Sequence, residues 1–130
     1  YDVTAGVVWN GTGQFLVAQR PLDGLLGGLW EFPGGKREGE ETLEACLRRE
    51  LEEELGIQVA VVEQLAVIPH AYTHFRVTLQ VYHCRHLSGE PRAIECDEIR
   101  WVTLDEIDRF PFPKANEKII AALREGVGNR

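Results

Sequence analysis

The order of predicted elements indicates an α/β protein, an α/β/α sandwich with a mixed β-sheet between helices. Two strand-like segments precede the clearest helix, and three strand-like segments and a second long helix follow it. Because strands and helices do not alternate regularly, this order argues against a doubly wound parallel sheet. The 130 residues fit one domain, so we expect residues 1–130 to form a single domain.

A β-hairpin is predicted at the start of the chain. Residues 3–8 form a strand-like segment, Asn10-Gly11-Thr12-Gly13 is a turn signal, and residues 14–19 form the returning strand. A loop rich in Gly and Leu covers residues 21–28, and residues 30–32 predict a short strand. The hairpin therefore supplies the first part of the sheet.

The strongest helix prediction covers residues 42–55. The segment is rich in good helix formers and ends before Gly56, a residue suited to the position after a helix. The later elements are strands at 58–68, 73–84 and 99–103 with a break at 86–91, a short helix at 104–109, a helix at 114–125 with Ile119, Ile120 and Leu123 on its apolar face, and a frayed tail at 126–130.

Charge and composition exclude some classes of partner. The net charge of −7 disfavours binding to a nucleic-acid polymer, so we expect no stable nucleic-acid partner. No apolar run approaches the ~20 residues that span a bilayer, so no membrane association is expected. The three cysteines are widely spaced, which fits reduced thiols in a cytoplasmic protein.

Three acidic residues near the end of the predicted helix conflict with local helix preferences. Glu50, Glu53 and Glu54 fall within an arc of about 100° on one helix face. Glu50 and Glu54 are like charges at i,i+4, and all three lie where the helix dipole disfavours anions. A bound divalent cation resolves both conflicts. When the charge run is taken alone, a solvated acidic helix is the favoured explanation.

The wider spacing is far more specific than the charge run. The segment resembles the Nudix signature, Gx5Ex7REUxEExGU with U aliphatic, and departs from it at no specified position. The matching residues are Gly35, Glu41, Arg49, Glu50, Leu51, Glu53, Glu54, Gly56 and Ile57.

The resemblance implies a metal-dependent hydrolase of pyrophosphate bonds. Glu50, Glu53 and Glu54 are then Mg²⁺ ligands, with Mn²⁺ as a substitute, and the carbonyl of Gly34 is a further ligand. Arg49 forms a salt bridge that orients the helix carboxylates. The structural residues of the signature are Glu41, which fixes the loop against the helix, and Gly35 and Gly56, which allow a tight backbone path.

Two further segments resemble the MutT group within this family. These are Leu29-Trp30-Glu31-Phe32-Pro33-Gly34-Gly35-Lys36 and Phe112-Pro113-Lys114-Ala115-Asn116-Glu117. MutT enzymes hydrolyse oxidised guanine nucleotides at the β-phosphorus, giving a monophosphate and pyrophosphate. The resemblance implies that Asn116 recognises the base. Asn is also common at the start of a helix, which is the alternative interpretation.

The remaining candidates also follow from the MutT resemblance. Glu95 matches a loop carboxylate that binds metal and is a candidate general base, with Asp97 and Glu98 as fallbacks. The substrate-binding candidates are Arg20 for the phosphates or the sugar, Lys36 for a phosphate, and Phe32 and Phe75 for the base. The alternatives are surface positions for the charged residues and core positions for the two phenylalanines.

Three hypotheses therefore stand. The first is a hydrolase of 8-oxo-dGTP that cleanses the nucleotide pool, acting as a monomer or weak dimer on a free nucleoside triphosphate. The second is the same chemistry on a cytidine triphosphate or its 5-methyl form. The third follows from His70-Ala71-Tyr72-Thr73-His74-Phe75-Arg76, which resembles the C-terminal domain of MutY glycosylases and implies a non-catalytic module that reads oxidised guanine in DNA.

Overall fold

The computed structural model describes residues 1–128. Within them, six strands form one sheet. The strands are β1 (Asp2–Trp9), β2 (Phe15–Gln19), β3 (Trp30–Glu31), β4 (Gln58–Ala71), β5 (Arg76–Ser88) and β6 (Glu98–Val102). The helices are α1 (Leu43–Leu55), a 3₁₀ helix (Leu104–Arg109) and α2 (Lys114–Gly128).

The sheet is mixed, as the sequence predicted. Its strand order is β3-β2-β1-β5-β4, and β6 pairs with β2 outside this path. Strands β1 and β5 run parallel from Asp2↔Thr78 to Trp9↔Arg85, whereas the other pairs are antiparallel. The parallel pairing of β1 with β5 joins the β1–β2 hairpin to the β4–β5 hairpin.

Alternation along the central strands creates two apolar faces, because successive side chains of a strand point to opposite sides. Val7 and Val17 pack into the cluster that contains residues of α2. Val8 and Leu16 pack into the cluster that contains Leu51 of α1. Helices therefore cover both faces, which confirms the predicted sandwich.

Local capping explains where α1 begins and ends. The Thr42 hydroxyl accepts a hydrogen bond from the Ala45 N–H at 3.1 Å, which satisfies one of the helix's first donors. Gly56 adopts the left-handed region at φ 71°, and its N–H donates to the Glu52 carbonyl at 2.9 Å. Glycine adopts this conformation without the steric cost of a Cβ atom, so the helix ends there.

The predicted strand boundaries in the second half were partly wrong. The strand expected to start at residue 73 begins at Arg76, because Tyr72 N–H bonds to the Phe75 carbonyl at 2.8 Å and closes a turn. The break expected at 86–91 begins later, because His86 still pairs with Val59 of β4 and the strand continues to Ser88. Backbone hydrogen bonds with β4 thus extend β5 into a segment of polar residues.

The final helix extends further than expected. Ile119, Ile120 and Leu123 are buried, as predicted for its apolar face. The tail expected to fray from residue 126 is helical through Gly128, and residues 129–130 lie outside the described part of the chain. No helix within residues 1–128 combines the length and apolar character needed to cross a membrane.

Candidate active site

Arg49 lies at the centre of an ion-pair network on α1. Its guanidinium contacts Glu41 at 2.7 Å, Glu50 at 2.9 Å and Glu53 at 3.2 Å. A fourth contact, at 3.3 Å, runs from Nη2 to the Lys36 carbonyl in the loop before the helix. One planar cation therefore holds three carboxylates and a loop, which suits the fixed donor geometry of arginine.

Two carboxylates of this network have pKa values shifted in opposite directions. Hydrogen bonds from Arg49 hold the pKa of Glu41 well below its usual value, at about 2. Burial raises the pKa of Glu50 despite the same partner, and the nearby Glu53 acts in the same direction. Glu41 therefore anchors Arg49, while Glu50 is an anion held where negative charge is unfavourable.

Gly35 allows the loop to lie directly against Glu50. A Cβ atom at position 35 would overlap the Glu50 carboxyl group. The Gly35 carbonyl accepts hydrogen bonds from the N–H of Thr4 at 2.8 Å and from its hydroxyl at 3.0 Å. The loop is therefore fixed between β1 and α1, at a point where a side chain would displace the Glu50 carboxyl group.

Next to this network lies a cleft, here called the acidic cleft, of about 190 Å³. Its carboxylates are Glu31 from β3, Glu54 from α1 and Glu95 from the loop before β6. Burial, followed by repulsion from Glu50, Glu31 and Glu95, raises the pKa of Glu54 to about 9. The cleft thus concentrates negative charge at one point of the surface. Its full lining is Ala18, Gln19, Arg20, Pro21, Glu31, Glu54, Leu55, Glu95 and Cys96.

The donor chemistry of the acidic cleft fits a hard divalent cation. Carboxylate oxygens are the ligands that Mg²⁺ prefers, and a cation offsets the repulsion that raises the pKa of Glu54. Among residues 1–128, no three acidic, histidine or cysteine side chains converge closely enough to enclose an ion by themselves. Arg49 instead holds Glu50 and Glu53 in ion pairs.

A second cleft, here called the aromatic cleft, has a volume of about 380 Å³. Tyr72 and Phe75 line it and stack on each other with ring centroids 4.9 Å apart. Leu25 and Leu26 line it from the loop after β2. Arg20 lines both the aromatic and the acidic cleft, so the two share a border.

The other predicted binding residues occupy different environments. Asn116 accepts a hydrogen bond through Oδ1 from the Phe32 backbone N–H at 3.0 Å. The Phe32 ring is buried and stacks on Phe15 at 5.6 Å and on Phe112 at 5.8 Å, so the alternative interpretation as a core residue describes its position. Lys36 Nζ lies 4.3 Å from the centroid of the Tyr1 ring.

Of the three carboxylates considered in the loop before β6, Glu95 lines the acidic cleft. Asp97 accepts a hydrogen bond from the Leu22 N–H at 3.1 Å. Glu98 pairs with Arg100 at 2.6 Å. Asp97 and Glu98, the two fallback carboxylates, are therefore held by contacts outside the acidic cleft.

Sequence reasoning missed Glu31. It lines the acidic cleft, contributes to the raised pKa of Glu54, and pairs with Arg20 at 2.6 Å. The signal was its place between Trp30 and Phe32, both of which are buried. Alternation on a short strand turns the middle residue away from the core, so a carboxylate there faces a different environment from its neighbours.

The comparison with known proteins agrees with this arrangement. A family model described as NUDIX domain matches residues 4–122. The chain belongs to the Nudix family. It is a MutT-like Nudix hydrolase, and hydrolases of this family generally use a divalent metal.

Two curated relatives match nearly the whole chain. An Escherichia coli K12 protein named 8-oxo-dGTP diphosphatase is 30% identical over 95% of this chain and 95% of its own length. A second protein from that strain, named CTP pyrophosphohydrolase, is 33% identical over 94% of this chain and 90% of its own length. The solution structure of the E. coli ORF135 protein is 31% identical, with a TM-score of 0.85 over 99% of this chain and 91% of its own. The Nudix assignment therefore holds across the whole fold.

Proposed function

We propose that this Nudix hydrolase is a Mg²⁺-dependent nucleoside triphosphate pyrophosphohydrolase that converts 8-oxo-dGTP to 8-oxo-dGMP and pyrophosphate. The observation that carries the proposal is the shared border of the two clefts at Arg20. An aromatic cleft suits a nucleobase, whereas a cleft lined by carboxylates accepts phosphates only together with a cation. A nucleotide that extends past Arg20 therefore has its base in the aromatic cleft and its phosphates in the acidic cleft, each in a compatible environment.

The metal site of this proposal uses Glu50, Glu53, Glu54, Glu95 and the Gly34 carbonyl, with Mn²⁺ as a substitute for Mg²⁺. When bound, such a metal neutralises phosphate charge and lowers the pKa of a water molecule. Glu31 lines the same cleft, and its charge adds to the attraction for a cation. Arg49 acts by positioning, because it holds Glu50 and Glu53 through Nη1 and is itself anchored on Glu41.

The proposed roles differ among the carboxylates. Glu95 is exposed at the acidic cleft, so we assign it the part of general base as well as metal ligand. Among the carboxylates of the Nudix signature, Glu54 has its pKa raised to about 9 by burial and nearby negative charge, which suits a ligand whose charge a metal neutralises. Arg20 and Lys36 supply positive charge near the phosphates.

Recognition of the base is assigned to Asn116, with Phe75 stacking on the ring. Because Asn116 Oδ1 accepts the Phe32 N–H, the amide NH₂ is the group that we propose as a donor to a purine edge. Guanine offers its O6 acceptor to such a donor, and oxidation at C8 turns N7 into an N–H donor that the second lone pair of Asn116 Oδ1 can accept. The relatives named 8-oxo-dGTP diphosphatase support this choice of substrate, and its hydrolysis cleanses the nucleotide pool.

The test is pyrophosphate release with Mg²⁺ from the four dNTPs, 8-oxo-dGTP, CTP and 5-methyl-dCTP. We expect kcat/KM for 8-oxo-dGTP to exceed that for dGTP by well over tenfold. The matched variant Asn116→Ala should raise KM selectively for the oxidised nucleotide. Equal kcat/KM for dGTP and 8-oxo-dGTP contradicts the assignment of the base.

A second candidate is a cytidine triphosphate or its 5-methyl form, favoured by the relative named CTP pyrophosphohydrolase. In that case CTP or 5-methyl-dCTP leads the panel, and Asn116→Ala does not raise KM selectively for the oxidised guanine nucleotide. If no nucleotide is hydrolysed, DNA binding becomes the next measurement, because it tests the module that reads oxidised guanine without catalysis.

We also propose a cytoplasmic protein that is a monomer or weak dimer. The three cysteines are free thiols in the structure, which supports a reducing compartment. Sedimentation equilibrium over a range of protein concentrations measures the assembly state. A tight dimer in that experiment contradicts this part of the proposal.

A further inference from the structure

The loop after β2 presents apolar side chains to solvent beside the aromatic cleft. Leu22 is 75% exposed, Leu25 76% and Leu26 40%. Only Leu25 and Leu26 of these three line the cleft, together with Tyr72 and Phe75. Leu22 is tied elsewhere, because its N–H donates to Asp97 at 3.1 Å. The same loop therefore contains two leucines at the cleft and one away from it.

The backbone holds these leucines in a defined conformation. Leu26 has φ 55°, and within residues 1–128 it is the one non-glycine residue with positive φ. The left-handed region is unfavourable for a leucine, so surrounding contacts must maintain it. The loop closes on itself through the Arg20 N–H to Leu29 carbonyl bond at 2.9 Å and the Gly28 N–H to Arg20 carbonyl bond at 3.1 Å.

The Arg20 side chain joins this loop to the acidic cleft. Its Nε donates to the Leu25 carbonyl at 2.8 Å, and Nη1 contacts Glu31 at 2.6 Å. These two contacts fix the position of Leu25 and Leu26 relative to the acidic cleft, where the phosphates are proposed to bind. Residues with a strained backbone that their surroundings maintain are concentrated at ligand-binding and active sites.

We infer that Leu25 and Leu26 form the second wall of the base subsite, against which a nucleobase packs with Tyr72 and Phe75 on the other side. This inference rests on the proposed function and deepens it. The leucine wall offers apolar contact to the face of a ring, and faces are similar among the bases. The wall therefore sets affinity for nucleotides in general, whereas Asn116 distinguishes one base edge from another.

The experiment compares Leu26→Ala and Leu25→Ala with Leu22→Ala as the matched control. Alanine at position 26 keeps the same backbone restriction and removes only the side chain. Binding of dGMP, CMP and inorganic pyrophosphate is measured by calorimetry with Mg²⁺, alongside kcat/KM for the preferred triphosphate. For Leu26→Ala we expect dGMP and CMP to bind about 5- to 30-fold more weakly, from the loss of apolar contact. Pyrophosphate should bind as it does to the wild type.

The measurements show whether the inferred leucine wall, the proposed hydrolysis or both are wrong. If the wild type binds dGMP but releases no pyrophosphate from triphosphates, the proposed function fails, and the loss in Leu26→Ala still decides the inference. Unchanged nucleotide binding in both cleft variants overturns it, as does equal weakening of pyrophosphate, which indicates a general structural role. Weakening in Leu22→Ala as large as in Leu26→Ala also overturns it. Absence of nucleotide binding to the wild type overturns the wall and the nucleotide substrate together.

Discussion

The Arg49 guanidinium binds the Glu41 carboxylate through two hydrogen bonds, Nη2 to Oε1 at 2.7 Å and Nε to Oε2 at 3.1 Å. These residues are eight positions apart, with Glu41 before the helix and Arg49 within it. A bidentate pair fixes orientation as well as distance. It leaves Nη1 of Arg49 directed at Glu50 and Glu53, so the loop residue controls how the helix carboxylates are held.

Arg49→Lys should weaken catalysis although it keeps the charge. An ammonium group cannot reproduce the fork that contacts Glu41, Glu50 and Glu53 together. We expect metal affinity or kcat to fall by about 10- to 100-fold, as for other residues that orient metal ligands. Titration of Mg²⁺ activation measures the effect. Arg48→Lys, at the exposed neighbouring position, is the control and should match the wild type.

The same pair predicts how stability depends on acid. The pKa of Glu41 in the folded protein is about 2, below the ordinary value of 4.5. A lowered folded pKa contributes stability that is fully present above pH 4.5 and is lost as pH falls toward 2. Urea unfolding of the wild type and Glu41→Gln between pH 2 and 6 measures this contribution. The gap between the two proteins should close at the acid end, and a gap independent of pH contradicts the linkage.

Gly35→Ala should disturb Glu50 because the added methyl group meets its carboxyl group. The carboxyl group ends a flexible side chain, so it can turn away from the methyl group, but this movement disturbs its ion pair with Arg49. We therefore expect at least a tenfold loss of activity with little change in melting temperature. Gly11→Ala is the matched control, since a Cβ atom there meets nothing within 4 Å. Equal activity of both variants means that the loop moves away from Glu50 at little cost.

Local signals explain why the centre of the site could be predicted. The ends of α1 depend on Thr42 and Gly56, whose capping contacts involve residues within four positions. The sandwich followed from alternation in strands such as β1, which feeds both apolar clusters. Elements whose ends and buried faces depend on nearby residues can thus be predicted from the sequence alone.

Residues brought together by tertiary structure were harder to predict. Glu31 reaches the acidic cleft only because β3 pairs with β2 and sets it near Glu54 and Glu95. The wall role that we infer for Leu26 depends on the turn at Tyr72–Phe75, which lies far away in sequence. The end of β5 was misplaced because pairing with β4 outweighed the polar sequence after Cys84.

Glu54→Gln should stabilise the metal-free protein while removing most of its response to metal. Glu54 is partly buried among the charges of Glu50, Glu31 and Glu95, so its carboxylate repels its neighbours. At pH 8, above the ordinary pKa of 4.5 and below the folded pKa of about 9, Glu54 must take up a proton when the protein folds, which costs stability. Glutamine is neutral in both states and avoids this cost, so the melting temperature in EDTA at pH 8 should rise. The wild type should gain about 2.7 kcal/mol when Mg²⁺ is 100-fold above its Kd, because binding stabilises the folded state.

The Glu54 variant should lose most of that gain together with most of its activity. Glu52→Gln, on the exposed side of the same helix, is the matched control. It should melt with and without Mg²⁺ as the wild type does, because Glu52 does not line the acidic cleft. Differential scanning calorimetry of the three proteins, each with EDTA and with Mg²⁺, measures all of these shifts. A full Mg²⁺ response in Glu54→Gln removes Glu54 from the metal site, whereas lower stability in EDTA shows that its carboxylate is satisfied without a cation.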